Sequence, residues 1–400
     1  MKSYIAFFLI LSMLLSLAAC GLPPKPTEDS TSSLTEAFTP SESATSATEP
    51  EPVLPQTPLI SVSLPVITES STTDDGTVLF NYTFQNISLV TPDADVADLV
   101  IIDFLNRIDT TRTAAESIHA MALAAYKGQP SWTPYLCMIS YAPKRIDSGV
   151  LSLFGTQASY YGSPHPETVY SALNYDLVTG TALTLGDILS EGDFIDILLQ
   201  YTLEALAAQK ESGYLYSGYE QTVASLFSGN SLQNSWFFSP EGLCFYFVPY
   251  EIAPYASGII TAEIPYEKLP GILKDAFFPS EQDIATGEVS VSLFKTADLE
   301  IYSRFSELVL TPDSDKLLLH TDETIHNLVI ETGNWSSTGS FFTAQHSVFA
   351  ASSLSNGDAV MIETKLSHTP TLRLQYDTDD QHISMYIVLG TDGTPLLVAE

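Results

Sequence analysis

The sequence predicts an α+β fold: antiparallel sheets with packed helices in two successive modules, followed by a C-terminal all-β, sandwich-like domain. Two observations support this prediction. Apolar residues recur at helical spacing over about 93–127 and again over about 193–210, among segments that alternate like strands. After about residue 285 only short apolar stretches separated by turn residues remain, which is typical of a sandwich of about 110 residues.

The first module is predicted to cover residues 59–150, with strands on either side of one long helical segment. Residues 78–84 alternate between apolar and polar side chains, which indicates a half-buried strand. The helix over about 93–127 has an N-cap candidate in Thr91, followed by Pro92 at the first helical position. Thr110–Thr113 is a candidate break within it. Two further strands are predicted at about 134–142 and 149–160.

The second module, over residues 151–284, is predicted to mix strands with helices. Thr184 and Asp187 have the spacing of an N-terminal capping arrangement. Residues 236–248 have the pattern of a hairpin with a turn at Pro240. The remaining predicted elements are a strand at 167–177, helices near 193–210 and 219–227, a strand at 258–264 and a last helix near 266–276.

The third region, residues 285–400, is predicted to contain strands and no helix. Turn residues such as Pro312–Asp315 and Ser355–Asp358 separate its apolar stretches. The predicted strands lie at 289–294, 305–310, 316–320, 325–331, 340–349, 359–366, 371–376, 382–389 and 394–398.

The N-terminal residues indicate export and a lipid anchor. Lys2 precedes an apolar run that is shorter than the roughly 20 residues of a spanning helix, so residues 1–19 are predicted to be a signal peptide. The run ends in Leu-Ala-Ala-Cys20, which resembles a bacterial lipobox and implies a diacylglycerol group on Cys20. That anchor would place the chain on the extracellular face of the cytoplasmic membrane. An ordinary signal peptide with a chance cysteine is the alternative. Residues 20–58, rich in Ser, Thr and Pro, are predicted to be a disordered linker.

The composition is strongly acidic. The chain has 15 Lys and Arg against 48 Asp and Glu, which gives a formal net charge of −33. Such a surface repels nucleic acid and attracts basic partners, so we exclude nucleic acid as a ligand. The alternative is that the charge only keeps a Ser- and Thr-rich chain soluble.

Reactive groups are sparse in the sequence. It has no glycine-rich phosphate loop, no His-Glu-x-x-His and no Gly-x-Ser-x-Gly, so we predict neither an enzyme nor a cofactor or metal site. An unrecognised hydrolase is the least favoured alternative. Cys137 and Cys244 lie in predicted strands and are expected to be either buried free thiols or a disulfide.

One loop candidate stands out, over residues 247–258. Its two prolines, Pro249 and Pro254, exclude a regular helix and interrupt a strand ladder. Between them the loop carries Tyr250 and Glu251, and Tyr255 follows. Tyrosine provides a large contact area at low entropic cost, which favours a recognition surface. In the alternative reading both tyrosines pack inward and the prolines only shape a crossover.

Two motifs in this order resemble a known family. The segment Asn174-Tyr-Asp-Leu-Val-Thr-Gly180, followed by Leu183–Leu189, and the second segment 249–269 are similar to the two signatures of the bacterial extracytoplasmic family catalogued as domain of unknown function 3298. The resemblance covers about 150–278, and residues 60–150 resemble the module that usually precedes this domain. Family members include the ectodomain of a lysozyme-sensing anti-sigma factor and a region of some peptidoglycan deacetylases.

The resemblance implies a binding function. It implies that a protein such as lysozyme is gripped by one loop at Gly162, Ser163, Pro164 and His165 and by a second loop at Pro254 and Tyr255. With Tyr250 and Glu251, these are the expected ligand-binding residues. We therefore predict a membrane-anchored extracellular binding lipoprotein that recognises a basic protein or a peptidoglycan component. The alternative is an envelope-assembly lipoprotein that acts through its β-rich C-terminal domain. The sequence does not specify an oligomeric state.

Overall fold

A computed structural model describes residues 59–211, 213–229, 231–280, 285–336 and 341–400 of the chain. The predicted signal peptide, Cys20 and the whole of the predicted linker lie outside the described residues. The described residues belong to one compact unit. Within them the fold is mixed α+β, as predicted, with four sheets.

The elements have the following bounds. The strands are β1 Ser61–Ser63, β2 Val66–Thr72, β3 Val78–Gln85, β4 Ser88–Val90, β5 Tyr135–Ile146, β6 Val150–Tyr160, β7 Glu167–Asp176, β8 Trp236–Phe238, β9 Gly242–Phe247, β10 Ile260–Pro265, β11 Val289–Leu293, β12 Arg304–Val309, β13 Lys316–Thr321, β14 Ile325–Trp335, β15 Phe342–Leu354, β16 Asp358–Glu363, β17 Leu372–Asp377, β18 His382–Leu389 and β19 Pro395–Ala399. The helices are α1 Ala94–Ala125, α2 Leu185–Ile188, α3 Ile195–Glu211, α4 Tyr219–Ser228 and α5 Asp298–Ile301. None of the helices in the described ranges is long and apolar enough to span a bilayer.

The first sheet has the order β2-β3-β5-β6-β7, and β7 is its last strand. Its pairs are antiparallel except β3 with β5, which are parallel because α1 forms the crossover between them. The apolar stripe of α1, which includes Val100, Phe104 and Ile108, packs on the face of this sheet that carries Leu153 and Leu173. The half-buried strand predicted at 78–84 is β3, which lies between β2 and β5 in this sheet.

The long helix α1 differs from its prediction at two points. Asp93, and not Thr91, is the N-cap, because its Oδ1 accepts the backbone N–H of Asp95 at 2.9 Å, whereas the Thr91 hydroxyl donates to the Asp93 carbonyl. The candidate break at Thr110–Thr113 is absent. The hydroxyls of Thr110 and Thr111 donate to carbonyls one turn back, and this arrangement keeps threonine within a continuous helix.

The second sheet, β10-β9-β8, packs against α3 and α4. The capping box predicted at Thr184 is present at the start of α2, where Asp187 completes it. The helix predicted near 266–276 is wrong: the chain forms two separate 3-10 turns, Tyr266–Lys268 and Asp275–Phe277. Gly271, with a φ of 77°, breaks the segment between the turns, and Leu273 forms a bridge with Leu189 instead of continuing a helix.

The C-terminal strands form a sandwich, and all nine are present where predicted. A four-stranded sheet, β11-β13-β16-β12, and a seven-stranded sheet, β19-β18-β17-β14-β15-β1-β4, enclose one apolar core. The short helix α5 corrects the prediction that this region has no helix. Strands β1 and β4 come from the first predicted module, so the larger sheet is completed by residues more than 200 positions upstream of its other strands.

Both cysteines in the described residues are buried free thiols, Cys137 in β5 and Cys244 in β9. The first of the two predicted alternatives is thus the one observed. Burial raises the pKa of each thiol, that of Cys244 to about 12, which leaves them protonated and unreactive at neutral pH.

Arg145 joins the first sheet to the second. Its side chain is only 3% exposed and lies at the end of β5. The Nε atom donates to the Asp147 carboxylate at 2.6 Å, and Nη1 donates to the Tyr266 hydroxyl at 2.6 Å and to the Phe277 carbonyl at 2.7 Å. The guanidinium also lies over the rings of Phe238 and Tyr266. One cation therefore binds the loop after β5, the hairpin and both 3-10 turns.

We expect Arg145→Ala to lower the free energy of unfolding by about 3–5 kcal/mol, because it leaves the carboxylate of Asp147 partly buried without its cation. The control is Arg107→Ala, which removes a cation from an exposed pair with Asp103 and should cost about 0–1 kcal/mol. Urea unfolding followed by circular dichroism measures both. Equal losses for the two variants would contradict the central role of Arg145.

Candidate binding site

The two predicted loops lie side by side in the structure. The ring of His165, from the first loop, is 6.1 Å from that of Tyr255, and the rings of Tyr250 and Tyr255 are 5.7 Å apart, measured between centroids. Tyr250 is 68% exposed and Tyr255 is 50% exposed, so the alternative in which both tyrosines pack inward is wrong. We call His165, Tyr250 and Tyr255 the aromatic patch.

The first loop connects β6 to β7 and depends on a glycine. Gly162 has a φ of 92°, and a Cβ atom there would lie 2.8 Å from the Tyr135 hydroxyl. A larger residue would therefore be disfavoured both by its backbone conformation and by a steric clash. The Ser163 hydroxyl donates to the carbonyl of His165 at 2.7 Å and closes the turn. Pro164 and His165 are exposed at its tip. The loop therefore holds the imidazole at the surface by local bonds.

The second loop connects β9 to β10 and is anchored at its centre. Ile252 and Ala253 are fully buried in the core between the second sheet and its helices. Because these two residues are buried, the tyrosines on either side of them lie at the surface. Tyr250 has an unfavourable φ of 73°, and Tyr255 begins a 3-10 turn after Pro254. A non-glycine residue in this conformation costs of order 1–3 kcal/mol, and such strain clusters at functional sites.

Glu251 is placed differently from its neighbours. Its carboxylate turns back into the loop and accepts the backbone N–H of Val248 at 2.8 Å. Burial raises the pKa of the Glu251 carboxyl above its ordinary value of 4.5, and the bond from Val248 only partly opposes this effect. Of the residues predicted to bind a ligand, Glu251 therefore shapes the loop and does not face outward with the two tyrosines.

Sequence reasoning missed Tyr170, which lies beside the patch, and Val169, which points to the opposite face of the same strand. Tyr170 of β7 stacks on Phe154, and the nearby hydroxyl of Tyr255 contributes, after burial, to the raised pKa of Tyr170. Val169 is 63% exposed, although the same face of β7 buries Leu173 further along. An exposed apolar residue cannot be recognised from alternation alone, because the pattern does not show where the covering helix ends.

The site chemistry is that of surface contact. Its side chains supply aromatic faces and one imidazole, which suit planar and cationic groups. Within the described ranges, no three His, Cys, Asp or Glu side chains are grouped so that they could hold a metal ion.

The fold is thus an α+β scaffold that holds two loops together at its surface. Residues 186–267 match the family described as "Protein of unknown function (DUF3298)", so this part of the chain is similar to that family. The match contains the second loop but not the first. No curated protein matches the chain.

Two solved structures of the DUF3298 family are similar to the chain. The protein from Bacteroides fragilis is 20% identical, with 54% of this chain and 94% of that chain covered and a TM-score of 0.39. The protein from Pseudomonas aeruginosa is also 20% identical, with 56% and 98% covered and a TM-score of 0.37.

We expect Glu251→Gln to raise the melting temperature at pH 7. Because the folded chain binds the Glu251 proton more tightly than the unfolded chain, ionisation of this group weakens folding above its ordinary pKa of 4.5. Below that pH both states are protonated, so the gain should disappear on acidification. Calorimetry of the variant at neutral and acid pH measures this, with the exposed Glu241→Gln as control. A gain that is the same at both pH values would contradict the assignment.

Proposed function

We propose that this chain is a membrane-anchored extracellular binding protein that recognises a basic protein through the aromatic patch. The observation that carries the proposal is the exposure of Tyr250 and Tyr255 side by side on a chain with a net charge of −33. Tyrosine is enriched among the residues that dominate protein interfaces.

The patch suits a partner with lysine and arginine side chains. Such cations are attracted to the faces of exposed aromatic rings, with about 0.5–1 kcal/mol for each exposed contact. The acidity of the whole chain would raise the rate at which a basic protein arrives. Lysozyme is the partner that the family resemblance implies, and it is the probe we choose.

The anchor proposed at Cys20 defines where this recognition takes place. A diacylglycerol group on Cys20, followed by the linker predicted over residues 20–58, would hold the patch outside the membrane within reach of soluble proteins. The chain would then bind or shield its partner at the cell surface.

We expect Tyr255→Ala to weaken binding to immobilised lysozyme by about tenfold, as for loss of an interface contact of about 1.4 kcal/mol. The melting temperature should not fall, because half of this side chain is already in solvent. Surface plasmon resonance at low salt measures the affinity, and binding should be lost at about 0.5 M salt, where charges are screened.

The matched control is Phe341→Ala, which removes a ring of similar exposure, 59%, from the C-terminal sandwich. The proposal predicts that this variant binds like the wild type. Loss of binding with Phe341→Ala and not with Tyr255→Ala would instead favour the alternative, in which the C-terminal sandwich is the interaction surface. Absence of lysozyme binding by the wild type would contradict a basic protein of this kind as the partner.

We expect Cys20→Ala to release the chain from the membrane fraction, because the proposed acyl chains are attached to that sulfur. The variant should appear in the medium or the soluble fraction on immunoblots, and metabolic labelling with a radioactive fatty acid should mark the wild type alone. Cys244→Ala is the control. Equal membrane association of wild type and Cys20→Ala would refute the anchor and leave the binding proposal untouched.

A further inference from the structure

The outer edge of β7 is open over the first part of the strand, and a groove borders it. Strand β7 is the last strand of the first sheet, and on its other side it pairs with β6 without a register shift. A groove of about 640 Å³ runs along this edge. Its floor is formed by residues 169–175, one wall by α1 at Arg107 and Thr110, and the other wall by Asn234 and Ser235.

The backbone groups that face the groove can be identified from one end of the strand. The Asn174 carbonyl accepts the N–H of Leu183 at 2.7 Å, and the Asp176 N–H donates to the carbonyl of Thr181 at 3.0 Å, so both residues point away from β6. Since the two backbone groups of a strand residue point to one edge and successive residues alternate, Thr168, Tyr170 and Ala172 point the same way. In the described part of the chain, no backbone group bonds to these three residues on that side.

A protein segment fits this groove better than a sugar. Of the four tyrosines that line it, Tyr141, Tyr175 and Tyr246 are at most 3% exposed. Only the partly exposed ring of Tyr170, which already stacks on Phe154, is left for a sugar to contact. What the floor does offer is a row of alternating N–H and C=O groups. An extended peptide satisfies such a row by adding one strand to the sheet.

The charges around the groove favour a basic segment. Glu167 and Asp176 are the first and last residues of β7, and neither forms an ion pair with any described residue. The cation in the lining, Arg107, is already neutralised by Asp103 at 2.7 Å. Glu167 accepts the Tyr161 hydroxyl and Asp176 accepts the backbone N–H of Val178, but no cation neutralises either charge. A strand along the open part of the edge with a lysine at each end would bring its cations toward both carboxylates.

We propose that the β7 edge binds an extended, basic segment of a partner protein by β-strand addition, with hydrogen bonds to Thr168, Tyr170 and Ala172. This proposal stands on the strand edge and its carboxylates, and it does not require the aromatic patch to bind lysozyme. The two surfaces adjoin at Tyr170, so a single partner can occupy both.

The test uses the mature chain and a fluorescent synthetic peptide as long as residues 167–173, the part of the β7 edge that residues 181–183 do not already occupy. The peptide alternates valine and threonine and carries a lysine at each end. We expect saturable binding by fluorescence anisotropy. In hydrogen exchange followed by NMR, the amides of Thr168, Tyr170 and Ala172 should slow by about tenfold or more when the peptide is bound. The amides of Val169 and Ser171 should be protected already, because they face β6.

Two control peptides separate strand pairing from charge attraction. One is methylated on alternate backbone nitrogens, which keeps its charge and composition but removes the hydrogen bonds, and it should not bind. The other has glutamate at both ends, and it should bind at least tenfold more weakly because like charges then meet at Glu167 and Asp176.

Variants of the chain test the same edge. Ala172→Pro removes an N–H that β6 does not use, so it should abolish binding while the fold remains intact. Ala172→Ser keeps both backbone groups and should bind normally. If Ala172→Pro unfolds the chain, the same test is made at the other end of the open edge with Thr168→Pro and its control Thr168→Ala.

Three results would overturn the proposal. The first is that the wild type does not bind the lysine peptide. The second is that the wild type binds the methylated peptide equally well, or that a folded proline variant binds the lysine peptide as well as the wild type does. The third is protection of the same amides by the oligosaccharide chitotetraose, which would make the groove a sugar site. Each can occur whether or not Tyr255→Ala affects lysozyme binding, so the two proposals fail separately.

Discussion

The buried guanidinium of Arg145 is the interaction on which the arrangement of the two α+β sheets depends. It satisfies Asp147, the Tyr266 hydroxyl and the Phe277 carbonyl from one position, while two aromatic rings cover its faces. A buried charge is costly to desolvate unless its partners are in place. The hairpin, both 3-10 turns and the end of β5 must therefore be correctly assembled together, and this requirement fixes the second sheet relative to the first.

The positions of the two candidate binding loops depend on this packing of the two sheets. The first loop connects β6 to the edge strand β7 of the first sheet, and the second loop follows β9 of the second sheet. The two loops are therefore in contact only because the two sheets are joined. Local bonds then shape each loop: Gly162 permits the turn in one, and the buried pair Ile252 and Ala253 lifts the tyrosines in the other. The same sheets leave β7 at an edge, beside the patch. The aromatic patch and this open edge thus lie next to each other on an acidic chain.

The sandwich shows a similar dependence on distant residues. Its nine C-terminal strands follow from local alternation, but its larger sheet is completed by β1 and β4 from the start of the described chain. Ser61 and Ser63 of β1 also bond to Ser306 and Glu307 across the sandwich. Three-residue strands carry too little periodicity to be recognised in a sequence. Strand β1 exists because β15 offers it a ladder, and β4 exists because β1 in turn offers one.

The sequence by itself determined the α+β class, most strands and helices, the capping box at Thr184 and the two loops that carry the candidate site, because each depends on side chains close together in the chain. Only the tertiary structure decided the rest. It selected Asp93 over Thr91 as a cap, replaced the helix at 266–276 by turns that bond to α2 and Arg145, exposed Tyr250 and Tyr255, and left one edge of β7 open. These features depend on which distant surfaces meet, and free energies of packing between segments far apart in the chain leave no periodic pattern in the sequence.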